Sequence, residues 1–189
     1  MDPLKKEILN GSRRPVGVVW ASRGASRRGM GGIGKSVMAA ALARDREVKK
    51  AFPQGVFWLS FGRQAREADK RSEFLRALGE PETASGNPRE DRTRIAEATA
   101  GRDCLVVLDN VRTPGDAEAF TPLGGKSRLL VTTRDDAVLE KIQAQPFRLA
   151  QLSPEKSLSL LAAITRQGRK PCPPKPAISQ GNAGAFRWR

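Results

Sequence analysis

GMGGIGKSVMAAALARD, residues Gly29 to Asp45, decides how this chain reads. Gly29, Gly31, Gly32, Gly34, Lys35 and Ser36 are not residues that packing asks for. Glycines let consecutive backbone N–H groups turn inward around an anion, in conformations that a side chain obstructs. The stretch behind them is alanine-rich and has no Gly or Pro until Pro53, which predicts a helix from Ser36 to about Phe52. The start of such a helix presents unpaired amides and a positive dipole end to a phosphate. The spacing G-x-x-x-x-G-K-[ST] is met without a mismatch. Lys35 then reaches the β- and γ-phosphates of a nucleotide, and the Ser36 hydroxyl coordinates Mg²⁺.

The flanking sequence supplies a scaffold for that loop. VGVVW (Val16–Trp20) is a short apolar, β-branched run and reads as a strand. ASRGASRR (Ala21–Arg28) separates it from the glycines, and its small and basic residues suit a strand poorly. GVFWLSF (Gly55–Phe61), CLVVLDNV (Cys104–Val111), SRLLVTTRD (Ser127–Asp135) and FRLAQL (Phe147–Leu152) read as further strands. CLVVLDNV is apolar almost throughout, as expected of a strand buried on both faces. Helix-prone stretches (SEFLRALGE, REDRTRIAEATAG and DDAVLEKIQ) lie between them, and PETASGNP reads as a loop. SPEKSLSLLAAIT opens a last helix, with Ser153 as N-cap, Pro154 in the first turn and Glu155 beside the positive helix end. Alternating strands and helices predict a three-layer α/β domain on a parallel sheet. From Arg166 onward the pattern dissolves into a basic, proline-rich stretch, read as an irregular, disordered tail. The expected organisation is an N-terminal extension over 1–15, a nucleotide-binding core over 16–165 and the tail over 166–189.

Two further motifs complete a site. Asp109 closes the buried run LVVLDN, where a carboxylate supports a Mg²⁺-bound water. An aspartate after a strand also serves as an ordinary helix N-cap, but beside a phosphate loop the metal role prevails. Asn110 follows where a second carboxylate would orient or deprotonate an attacking water, and an amide is a poor base. The sequence therefore favours holding a nucleotide over fast turnover. Thr132-Thr133-Arg134 ends another strand with polar groups beside the nucleotide. Arg134 is read as reaching the γ-phosphate through charge-assisted hydrogen bonds.

Composition narrows the alternatives. The 189 residues are 39% hydrophobic and 29% charged, as in soluble globular chains. No apolar run approaches the roughly 20 residues of a spanning helix, and MDPLKKEILNGSRRP lacks the apolar centre of a secretory signal. Cys104 opens a strand and Cys172 sits among prolines, so neither a disulfide nor a metal site is expected and a cytoplasmic setting follows. The net charge of +14 is unevenly spread: residues 29–165 hold 21 basic and 18 acidic residues, and the excess lies at the two ends. A nucleic-acid binder carries its basic stripe on folded elements with stacking aromatics; here tyrosine is absent. Nucleic acid and membrane are therefore not the expected partners.

Together, GMGGIGKS, CLVVLDNV and SRLLVTTRD, with FPQGVFWLSFG and LSPEKSLSLL, resemble the NB-ARC family of STAND-type P-loop NTPases over about Val16 to Ile164. The resemblance implies five parallel strands ordered 5-1-4-3-2. It implies ADP and ATP as cofactors with Mg²⁺, closed and open nucleotide states, and self-association or contact with other signalling proteins. By position, Gly31, Gly32, Gly34, Lys35, Ser36 and Val37 would enclose the phosphates, Ser36 and Asp109 would support Mg²⁺, and Arg134 would be the sensor arginine. The family continues into a helical subdomain and a winged helix with an ADP-contacting histidine. This chain has no histidine, and nothing after Ile164 matches that subdomain, so a truncated switch core and at most a weak ATPase are expected. A self-standing small P-loop ATPase or phosphotransferase is the first alternative, and a basic nucleic-acid-binding protein the second.

Overall fold

A computed structural model describes residues 2–20, 34–62, 66–80, 85–150, 155 and 186–188. The chain divides into two compact units, 1–149 with 184–189, and 150–183. Apart from Ala150 and Glu155, the described residues belong to the first.

Five strands form a parallel sheet: β1 (Val16–Trp20), β2 (Val56–Ser60), β3 (Leu105–Val111), β4 (Arg128–Thr133) and β5 (Gln145–Leu149). Their order, β5-β1-β4-β3-β2, is the one expected. A sixth strand, β6 (Phe186–Trp188), adds antiparallel to the β2 edge. The sequence gives no sign of it, and the irregular tail is corrected at these three residues. The remaining elements are α1 (Asp2–Asn10), α2 (Lys35–Arg44), α3 (Arg46–Ala51), α4 (Glu67–Leu78), α5 (Pro88–Thr99), α6 (Pro114–Glu118) and α7 (Asp136–Lys141).

Strand alternation explains the three layers. Leu105 and Val107 of β3 join Val16 and Val18 of β1 in a core against α1, α2 and α3, where Leu4, Ala39, Leu42 and Val48 are buried. Val106 and Leu108 point the other way, into a core with Phe74, Leu75, Ile95 and Phe120 from the α4–α6 side. Successive side chains of a strand face opposite sides, so a continuous apolar run has both faces covered.

Two boundaries differ from the sequence reading. The helix expected over Ser36–Phe52 breaks at Asp45, which is extended (φ −62°, ψ 136°), and its carboxylate accepts the Glu47 and Val48 amides at 2.9 and 3.3 Å. Aspartate caps a new helix there because its oxygen satisfies otherwise unpaired amides. The fifth strand begins two residues before Phe147, its register against β1 fixed from Val16–Gln145 to Trp20–Leu149. The segment Ala21–Arg28, the helix start at Ser153 and Pro154, and all of 166–185 lie outside the described residues.

Residues 1–15 are more than an appendage. Leu4 and Ile8 of α1 are buried in the core, and Lys5 Nζ lies 3.0 Å from Asp45 and 2.9 Å from Glu47. The Arg128 guanidinium, at the start of β4, donates to the carbonyls of Gly11 and Ser12. Shortening Ile8 to valine should lower the unfolding free energy by about 0.5–1.5 kcal/mol, read by urea titration. An unpacked extension would register no change.

Candidate functional site

The site lies where α2 begins and where β3 and β4 end. Gly34 precedes α2 with φ of 96°, a left-handed conformation that glycine adopts without steric cost. Among the described residues nothing lies within 4 Å of where its Cβ would be. The turn stands at the N-terminus of α2, where an anion meets the amides that a helix start leaves unpaired. Gly29, Gly31 and Gly32 lie outside the described residues.

Lys35 is the first residue of α2 and is buried. Burial holds its ammonium below the usual lysine range, the nearby Arg134 charge lowers it further, and Asp109 partly offsets both. Two cations therefore converge beside one carboxylate, and an added polyanion would relieve their repulsion. Arg134 itself is exposed. Val37 is 64% exposed, so its side chain covers no core.

The Ser36 hydroxyl donates to Asp109 Oδ1 at 2.6 Å, joining residues 73 apart in sequence. Thr132 Oγ1 donates to the same oxygen, also at 2.6 Å, and accepts the Asn110 amide at 2.9 Å. Asn110 has φ of 61°, and its side-chain amide donates to the Phe61 carbonyl at 3.0 Å. The residue standing where a base would be thus spends its amide on the end of β2. Ser36 and Asp109 were read from the sequence, as were Lys35 and Arg134, and the fold brings all four together. The bond from Thr132 was missed. The signal was there in a hydroxyl residue ending a buried strand, but pairing it with Asp109 needs the register of β3 against β4.

Ser36 and Asp109 offer hard oxygen donors, which suit Mg²⁺. Among the described residues no group of three or more His, Cys, Asp or Glu side chains gathers to hold a metal. A cation here would lean on Ser36, Asp109 and the oxygens of its own nucleotide. A cleft of about 500 Å³ beside α7 and β5, lined in part by Arg14, Leu139, Glu140, Gln143 and Arg148, contains none of these groups. No helix among the described residues is long and apolar enough to cross a membrane.

Sheet order, left-handed glycine, buried lysine and the serine–aspartate contact define a P-loop nucleotide-binding domain. The NB-ARC domain model matches residues 25–170, and the chain belongs to that family. It is 29% identical over 157 residues to apoptotic protease-activating factor 1 of Rattus norvegicus, covering 77% of this chain and 12% of that protein. Identity to the Danio rerio protein of the same name is 31%, over 71% of this chain and 12% of that one. Disease resistance RPP13-like protein 4 of Arabidopsis thaliana is 27% identical, over 72% and 17%. The chain therefore spans about an eighth of the length of the first of these relatives.

Among solved structures, the ORC2 protein of Aeropyrum pernix, described in ADPNP–ADP complexes, superposes with a TM-score of 0.59 at 15% identity, covering 87% of this chain and 50% of that one. Drosophila ORC bound to DNA gives 0.55 at 12% identity, covering 84% and 92%. At such identity these two likenesses speak for the fold alone.

Proposed function

We propose that this chain is the adenine-nucleotide-binding core of an NB-ARC signalling switch, which holds ADP or ATP with Mg²⁺ and hydrolyses slowly if at all. The observation that carries the reading is the Ser36–Asp109 contact at 2.6 Å beside the buried Lys35. A phosphate-binding lysine, a metal-binding hydroxyl and a carboxylate meet at one helix N-terminus, where polyphosphate and cation are held together. Gly31, Gly32, Gly34, Lys35, Ser36 and Val37 would enclose the phosphates, and Arg134 would read the terminal one. Slow turnover is supported by Asn110, whose amide is bonded to the Phe61 carbonyl and offers no basic atom to water.

Adenine and the switch role come from likeness to the family, as do further copies of this chain or other signalling proteins as partners. Calorimetry of the purified chain with MgADP tests the reading. Saturable heat is expected, and none at millimolar nucleotide would defeat it. Phosphate release from ATP at a rate unchanged by Lys35→Ala would defeat the enzymatic alternative. A lysine-dependent rate of many turnovers per second would favour that alternative over the switch.

A further inference from the structure

The end of β3 carries a feature that nucleotide binding alone does not explain. Leu108 pairs with Val131 and Val111 with Thr133, so Asp109 and Asn110 together face one residue of β4, Thr132. An inserted residue of this kind re-aims side chains, and such bulges gather beside active sites. Up to Leu108 the strand alternates regularly between the two cores. Asp109 keeps that alternation and meets Ser36 of α2. Regular alternation would send Val111 to the α2 side as well, yet it packs in the opposite core. The left-handed Asn110 makes the difference.

One hydroxyl joins both residues of the bulge. Thr132 is buried; its single hydrogen goes to Asp109 Oδ1, and its oxygen accepts the Asn110 amide. A hydroxyl donates once and accepts as well, a pair of roles that no apolar side chain of the same shape fills.

We propose that Thr132 is a positioning residue of the nucleotide site. It fixes the Asp109 carboxylate towards Ser36, and it fixes the left-handed turn that aims Asn110 at Phe61. The inference rests on the nucleotide-binding reading and deepens it. Ser36 and Thr132 share one carboxylate oxygen, but Ser36 is also the group a cation would claim. Thr132 is the partner whose hold on Asp109 does not depend on ligand, so it pre-organises the carboxylate before Mg²⁺ arrives. Such outer partners commonly set metal affinity by about 10- to 100-fold.

The test uses the full chain, ADP, and either Mg²⁺ or EDTA, with affinities read by calorimetry. Thr132→Val should cut the strengthening that Mg²⁺ gives to ADP binding by about 10- to 100-fold, leave ADP affinity in EDTA within about twofold, and be rescued by Thr132→Ser. Hydrogen exchange supplies a readout without ligand: the Asn110 amide should exchange roughly tenfold faster in Thr132→Val, with Val107 and Leu130 unchanged. If Thr132→Val does not melt cooperatively, Thr132→Ala removes the same hydroxyl and is read in its place. Wild-type Mg²⁺ dependence in the hydroxyl-free variant overturns the proposal, as does wild-type exchange at Asn110. A wild-type chain that binds no ADP defeats the nucleotide reading itself. The positioning role falls with it, whereas wild-type ADP binding alongside an unaltered Mg²⁺ dependence in the variant overturns the positioning role alone.

Discussion

Replacing Lys35 with alanine is expected to weaken MgADP binding by about 2–4 kcal/mol, roughly 30- to 700-fold, without destabilising the ligand-free chain. The two halves of that expectation have separate causes. Charge-assisted hydrogen bonds from a buried ammonium to phosphate oxygens are strong because little water competes for them. In the ligand-free chain the same burial works against the ammonium, and the neighbouring Arg134 adds to the cost. Lys35 is thus a group whose charged form the empty fold disfavours and a polyphosphate would favour. Melting curves separate the two effects. Without nucleotide, Lys35→Ala should melt within about 2 °C of wild type, since the loss of a disfavoured charge offsets the lost packing of its stem. At a MgADP concentration that saturates the wild type, the wild type should gain stability by mass action and the variant much less. An ADP-dependent rise in Tm of wild-type size in Lys35→Ala would remove the phosphates from this loop and leave the Ser36–Asp109 contact without a ligand to explain it.

How much of this was legible in the residues depends on which forces set each part. The central strands were readable because burial on both faces leaves near-continuous apolar runs: β1 spans Val16–Trp20 as expected, and β3 begins one residue after Cys104. Lys35 and Ser36 stood out because a glycine-rich loop ahead of a long helix fixes them at one spacing, and Asp109 because it closes a buried apolar run. That Ser36 and Asp109 meet across 73 positions is set by the fold. Helix α1 was not readable, since its buried pair Leu4 and Ile8 stands among charged residues and its docking depends on Lys5 meeting Asp45, forty positions away. β6 was hidden for the same reason. Three residues become a strand only through pairing with β2, more than 120 positions upstream. Asn110 shows the limit most clearly. Its identity says that no base stands there, but its positive φ and its bond to Phe61 arise from a bulge that only the β3–β4 register produces. Local chemistry was written in the sequence, and long-range register was not.

The stretch between β2 and β3, read in sequence only as two helix-prone segments around a loop, contains the pair whose disruption should cost the fold most. Asp91, in the first turn of α5, is fully buried. One of its oxygens accepts Arg71 Nε at 2.8 Å and the other accepts the Ser85 amide at 2.7 Å. Arg71 is itself 3% exposed, and its Nη1 lies 2.9 Å from Glu67 Oε1. Burial raises the Glu67 carboxyl above its ordinary range despite the Arg71 charge, so Glu67 is a weak substitute for Asp91. Asp91→Ala would leave a guanidinium in the interior facing that one partly buried carboxylate, and an uncompensated buried charge costs about 3–5 kcal/mol. For a chain of this size the loss corresponds to a fall in Tm of roughly 6–20 °C. The double change Arg71→Met with Asp91→Leu separates the pair's own worth from the cost of breaking it. Buried ion pairs gain little over apolar groups of similar volume, so the double variant should regain most of what Asp91→Ala loses. Because α4 and α5 pack on the face of the sheet opposite α2, MgADP affinity of the folded fraction should stay within about threefold of wild type, as expected for sites that share no partner. A loss below about 1 kcal/mol for Asp91→Ala would mean that water reaches Arg71 and that the pair is no more than a surface contact.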